Sequence, residues 1–172
     1  MSGSLIKIDE EIVTSAVASV TLTGIDSTYD VYMLQIANAL PSVNAGLFIR
    51  ATESGTANST ANYDYAQKSL RTDVAFSNVS NTNQNQWWLS FASVGTSQGE
   101  NGTVFIFNAN NSSEYTFFTT EPSSFTSSSV LYGGQGGAVF TVTSTVDGVY
   151  LEFNNSANIT SGTFTLYGLK KS

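Results

Sequence analysis

Tyr29-Asp30-Val31-Tyr32-Met33-Leu34-Gln35-Ile36-Ala37 splits into two interleaved series, with Tyr29, Val31, Met33 and Gln35 in one and Tyr32, Leu34 and Ile36 in the other. Successive side chains of an extended chain point to opposite faces, so each series is one face of a strand. Both faces carry apolar groups, which predicts a strand with neighbours on either side.

The same alternation extends outward in both directions. Upstream, Val17-Ala18-Ser19-Val20-Thr21-Leu22 ends at Gly24-Ile25-Asp26-Ser27. Downstream, a turn over Pro41-Ser42-Val43-Asn44-Ala45-Gly46 leads into Leu47-Phe48-Ile49-Arg50, then a polar loop to Asn62, then Tyr63-Asp64-Tyr65-Ala66. The polar segment Asn78 to Gln86 reads as an exposed loop before Trp87-Trp88-Leu89-Ser90-Phe91, whose alternation groups Trp87, Leu89 and Phe91. Further strands are expected at Gly102–Phe107, Tyr115–Thr119, Ala138–Val142, Val149–Phe153 and Gly162–Tyr167. Nine or ten short strands separated by turn residues predict an all-β protein, an antiparallel β-sandwich of jelly-roll-like form.

No stretch of twelve residues carries a convincing 3.6-residue apolar period, although Asp9-Glu10-Glu11 leaves open a short helix over Asp9 to Val20 with the acids at its positive end. Gly133-Gly134-Gln135-Gly136-Gly137 lacks the Lys-Ser/Thr of a phosphate-cradling loop and reads as a hairpin turn. No compositional break or fixed-period repeat divides the chain. The expected organisation is an N-terminal arm over residues 1–14 and one β-sandwich domain over residues 15–172.

Composition agrees with strands. The 172 residues include 25 Ser, 21 Thr and 15 Asn, while only 11% are charged, against about 25% in ordinary soluble domains. Hydroxyl and amide side chains compete for backbone hydrogen bonds in helix interiors, whereas Thr with Val, Ile, Phe and Tyr suits a pleated surface.

The residues also exclude several functions. With a net charge of −7, and with Lys7, Arg50, Lys68, Arg71, Lys170 and Lys171 scattered except for the final pair, the chain lacks the basic face that nucleic acid or an anionic membrane requires. The absence of Cys and His removes disulfides, thiolate metal sites, the common hydrolytic triads and the usual proton shuttle near neutral pH. No apolar run approaches the ~18 residues that span a bilayer as a helix. The opening residues lack a basic region followed by a long apolar core, so synthesis in a cytoplasm is expected. On that expectation the Asn-x-Ser/Thr sequons, such as those at Asn58 and Asn101, remain unmodified.

Asp64, Asp73, Glu100 and Glu114 fall in or near expected loops with no catalytic motif around them, and neither Asp9-Glu10-Glu11 nor the pair Asp26 and Asp30 makes a convincing calcium site. No catalytic residue, metal ligand or cofactor site is therefore assigned. The tandem Trp87-Trp88, beside Asn83, Gln84, Asn85 and Gln86, is a candidate aromatic contact. Adjacent strand residues face opposite ways, so one ring is expected in the core and the other at a sugar or a subunit contact.

At both ends the sequence resembles small virion structural proteins of tailed bacteriophages of aquatic bacteria. The opening resemblance lies in Thr14-Ser15-Ala16-Val17-Ala18-Ser19-Val20-Thr21-Leu22-Thr23-Gly24-Ile25-Asp26-Ser27-Thr28-Tyr29-Asp30-Val31-Tyr32, and the closing one in Ile159-Thr160-Ser161-Gly162-Thr163-Phe164-Thr165-Leu166-Tyr167-Gly168-Leu169-Lys170. The resemblance implies a jelly-roll-like domain on a virion, as a capsid decoration or cement protein, a tail component or a fibre module. The expected function is a non-enzymatic capsid decoration protein on the virion surface, assembled as a homotrimer against the major capsid protein or tail proteins. The alternative is a tail-fibre or receptor-binding module for a host surface glycan. Ile6, Ile8, Asp9, Glu10, Glu11 and Ile12 are the candidate attachment arm, and Ser161 to Leu169 is expected to close the sheet.

Overall fold

The protein is described by a computed structural model over residues 4–91 and 93–170. Its thirteen strands, among the described residues, are β1 (Ser4–Val13), β2 (Ser19–Thr23), β3 (Val31–Pro41), β4 (Leu47–Glu53), β5 (Thr56–Ala57), β6 (Tyr63–Arg71), β7 (Ser77–Gln84), β8 (Trp87–Trp88), β9 (Glu100–Phe107), β10 (Thr116–Phe125), β11 (Leu131–Phe140), β12 (Gly148–Phe153) and β13 (Ile159–Lys170). The fold is the expected all-β antiparallel sandwich. Among the described residues there is no helix, and Asp9 to Val20 runs through β1 into the start of β2.

Eight strands form the large sheet in the order β1-β13-β3-β9-β10-β11-β6-β7, and β2-β12-β4-β5 form the small one, with β8 also paired to β4. The chain crosses between sheets as it enters β2, β3, β4, β6, β8 and β9, and again as it enters β12 and β13. In consequence β13 lies between β1 and β3, while β12 lies between β2 and β4. This nesting of the chain's end into its beginning is a jelly-roll arrangement, with β10, β11, β6 and β7 extending one sheet.

Binary patterning explains how the layers meet. In β3, Tyr32, Leu34 and Ile36 are buried; across the sandwich, Leu47, Ile49 and Ala51 of β4 and Val149, Leu151 and Phe153 of β12 are completely buried. β10 alternates without a break, with Thr116, Phe118, Thr120, Pro122 and Ser124 inside and Phe117, Thr119, Glu121, Ser123 and Phe125 outside. β13 supplies Phe164 and Leu166, both fully buried, from an interior position rather than as the closing strand.

Two segments differ from the sequence reading. Asn78 to Gln84 belongs to β7, an edge strand whose polarity reflects solvent on its face and one unpaired edge. The glycine run belongs to β11, where a β-carbon on Gly136 would collide with the Ala66 carbonyl and the Gln67 backbone of the neighbouring strand. Glycine is thus required there by close approach rather than by a turn. Pro122, mid-strand in β10, is accommodated similarly. Gly102 lies opposite it in β9, and a β-carbon on Gly134 of β11 would come within 2.9 Å of its ring.

Candidate functional site

The outer face of the large sheet is the broadest surface the fold offers a partner. Register pairing aligns Val31, Phe107, Phe117 and Val139 in one row across β3, β9, β10 and β11, and Met33, Phe105, Thr119 and Gly137 in the next. Phe117 is 46% exposed, and Phe125 and Leu131, paired with each other further along the same face, are 39% and 48% exposed. Beside Phe117, Gly137 of β11 and Ala66 of β6 floor a furrow of about 810 Å³ bounded by Phe117 and Val139 on one flank and by Asp64, Ser80 and Thr82 on the other. A second hollow of about 560 Å³, between Met33, Phe105 and Gln135, shares Thr119 with it. On the outward positions of β9, β10 and β11 Glu121 is the one charged residue, and Gln135 donates a hydrogen bond to it at 3.2 Å. A ridge beside a furrow, depleted of charge, is the surface expected of a subunit contact.

The candidate arm is β1, paired antiparallel to β13 over Ser4–Val13 and free on its other edge. Its residues do not act as one unit. Ile6 and Ile12 are exposed, Ile8 packs against the core, and Val13 is buried within it. Asp9 turns toward the small sheet, where its Oδ2 accepts the Thr23 N–H at 2.8 Å. Lys7 donates to Glu10 Oε1 at 2.9 Å, an exposed pair that lowers the Glu10 pKa and raises that of Lys7. Glu11 is exposed opposite Phe164 in the ladder. Residues 1–3, and Lys171 of the terminal lysine pair, lie outside the described residues.

The tandem tryptophans separate as alternation requires. Trp87 is completely buried and tilted against Phe118 at 5.2 Å, so it offers nothing to a partner, and its indole N–H has no acceptor. Trp88 is half-buried on the other face of the strand, edge-on to Phe48 at 5.8 Å.

Sequence reasoning placed Glu100 in or near a loop, yet it is the first residue of β9 and is fully buried. Ser90 donates to its Oε2 at 2.9 Å and the Ser124 hydroxyl also faces the carboxyl, while Oε1 has no hydrogen-bond partner. Burial disfavours the charged form and pushes the pKa up to about 7, against the smaller opposing effect of the two serines. Tyr132 closes the same polar pocket; its hydroxyl accepts the Phe91 N–H at 3.2 Å, and burial raises its pKa. A Glu flanked by Gly99 and Asn101 carries no local sign of burial, because its environment comes from β10, β11 and the segment after β8. Asp64 and Asp73 lie elsewhere, as an acceptor for the Asn83 N–H and as the partner of Arg71. Among the described residues no three acids gather to hold a metal ion.

No family model, curated protein or solved structure matches the chain. The functional reading therefore rests on the chain's own residues and geometry.

Proposed function

We propose that this protein is a non-enzymatic structural component of a bacteriophage virion, a capsid decoration or cement protein that forms a symmetric homo-oligomer through the outer face of its large sheet. The assignment to a virion rests on the resemblance of Thr14–Tyr32 and Ile159–Lys170, and the observation that carries the contact is exposed Phe117 beside the furrow over Gly137 and Ala66, with Phe125 and Leu131 exposed at the far end of the same face. Ridge and furrow lie side by side on the sheet, so the ridge of one copy can enter the furrow of the next, the heterologous contact that closes into a ring such as a trimer. The near absence of charge on the three strands removes the repulsion that a net charge of −7 would otherwise impose between copies. A lasting contact covers about 800 Å² per partner, which the neighbouring strands of this face have the breadth to supply.

Light scattering combined with size-exclusion chromatography tests the contact. Wild-type protein is expected as a discrete homo-oligomer, with a trimer as the specific expectation, and Phe117→Asp is expected to dissociate it while preserving far-ultraviolet circular dichroism and melting. A wild-type monomer at high concentration, or an oligomer untouched by Phe117→Asp combined with Phe105→Asp, refutes the contact. Imaging of labelled particles tests the location: labelling over the head is expected, and labelling confined to the tail overturns the decoration role in favour of a fibre module.

A further inference from the structure

A cleft of about 270 Å³ lies away from the furrow, where the start of β4, the segment after β8 and the β12–β13 turn converge. We propose that it is a binding site for a single neutral sugar ring, a hexopyranose or N-acetylhexosamine at the end of a glycan. This inference does not depend on how copies of the protein associate.

The aromatic wall is Trp88 with Phe91, and its geometry is fixed before any ligand arrives. Gln67 Nε2 donates to the Trp88 carbonyl at 2.6 Å, the Trp88 indole faces the Tyr65 hydroxyl, and Phe48 meets the indole edge-on at an interplanar angle of 80°. Phe91 is held by Tyr65 at 5.4 Å between ring centroids. A ring immobilised in this way loses little side-chain entropy when something stacks on it. The C–H face of a pyranose is the apolar surface that such a platform accepts.

The opposite wall supplies directional polar groups. Asn154 is anchored to Gly46 by two bonds, its Oδ1 accepting the Gly46 N–H at 2.9 Å and its own N–H donating to the Gly46 carbonyl at 3.0 Å. That anchoring uses the side-chain oxygen and leaves the Nδ2 donors uncommitted. Asn155 and Ser156 follow with φ of 59° and 56°, consecutive left-handed residues of which neither is glycine. Such strain is retained where the surrounding structure enforces it, commonly at ligand sites. Here it carries the backbone around the rim and puts the Asn155 amide in the cleft lining. Ser93 adds a hydroxyl on the side of β8.

Two features define the ligand class. Every polar side chain in the lining is an uncharged amide or hydroxyl, in a chain whose surface is otherwise acidic, so a neutral ligand is favoured over a uronic or sialic acid. The volume falls just below the roughly 300 Å³ at which pockets begin to enclose drug-sized molecules, which suits one ring rather than an extended chain.

The test is a titration of the full chain with methyl glycosides of neutral hexoses and N-acetylhexosamines, with a uronic acid as the charged comparison, followed by amide and indole chemical shifts. Saturable shifts centred on the Trp88 indole and Asn154 are expected with at least one neutral glycoside. Trp88→Ala is expected to weaken binding about tenfold, the loss of ~1.4 kcal/mol of stacking, with Trp88→Phe retaining part of it. Should Trp88→Ala fail to fold, Asn155→Gly at the exposed rim, which tolerates the positive φ, is expected to lower affinity severalfold with little change in melting temperature. The proposal is overturned if no neutral glycoside saturates, if the uronic acid binds equally well, or if binding survives these substitutions undiminished.

Discussion

Glu100 makes the folded state sensitive to pH in a direction opposite to that of most carboxylates. Its pKa rises from an ordinary 4.5 to about 7 on folding, so between those values the native state holds a proton that the unfolded chain has lost. Stability falls with rising pH wherever the native state binds more protons. The contribution is fully present below about pH 4.5 and lost as pH rises through about 7. At 1.36 kcal/mol per pH unit the cost of ionising this side chain in place reaches about 3 kcal/mol. The carboxylates with depressed pKa values, Glu10, Asp26 and Asp73, act in the reverse sense, and their effects lie below the ordinary carboxylate range, outside this window. Urea unfolding at about pH 5 and about pH 8 should therefore show the protein less stable at the higher value, and Glu100→Gln should remove most of that slope. At the higher pH the variant is expected to exceed wild type by about 2 kcal/mol, since a neutral amide is spared the burial of charge. Stability that is flat or rising across this range, or a Glu100→Gln variant with the wild-type slope, would refute the reasoning.

Other consequences concern the core and the strand edges. Gly136→Ala should lower stability by ~1 to 3 kcal/mol in thermal melts because its methyl meets backbone, whereas Gly133→Ala, whose nearest contact would be an ordinary 3.7 Å, should change it little. Phe164→Ala should cost ~3 to 5 kcal/mol and Leu166→Ala ~2 to 5, measured by urea unfolding, because both side chains are fully buried between the sheets. Removing the chain through Val13 should cost at least ~2 kcal/mol, since it strips a neighbour from β13 and a buried valine from the core. Wild-type melting of that truncated protein would return β1 to the status of a dispensable arm. Chelators should leave the melting temperature unchanged, because no acid cluster among the described residues is available to hold a cation.

Alternation alone was enough to predict the all-β class, the interior position of β3 and the opposite fates of Trp87 and Trp88, because the period of two is a local property of an extended chain. Besides the edge strand β7, three features of the fold escaped it, each for a reason of distance along the chain. The glycine run looks like a turn because its neighbours in sequence ask nothing of it; the constraint is the backbone of β6, some seventy residues upstream. Residues 4–13 look like an arm because their acidic composition suits solvent, and pairing with β13 at the other end of the chain makes them a strand. Glu100 looks like a loop acid until Ser90, Ser124 and Tyr132 enclose it from three separate segments. The sequence thus determined the period, the class of fold and the scarcity of charge. Tertiary structure decided which residues meet across the sheets, and so the ridge and furrow, the Trp88 cleft and the buried carboxyl, because register and burial arise from contacts that no local window of sequence contains.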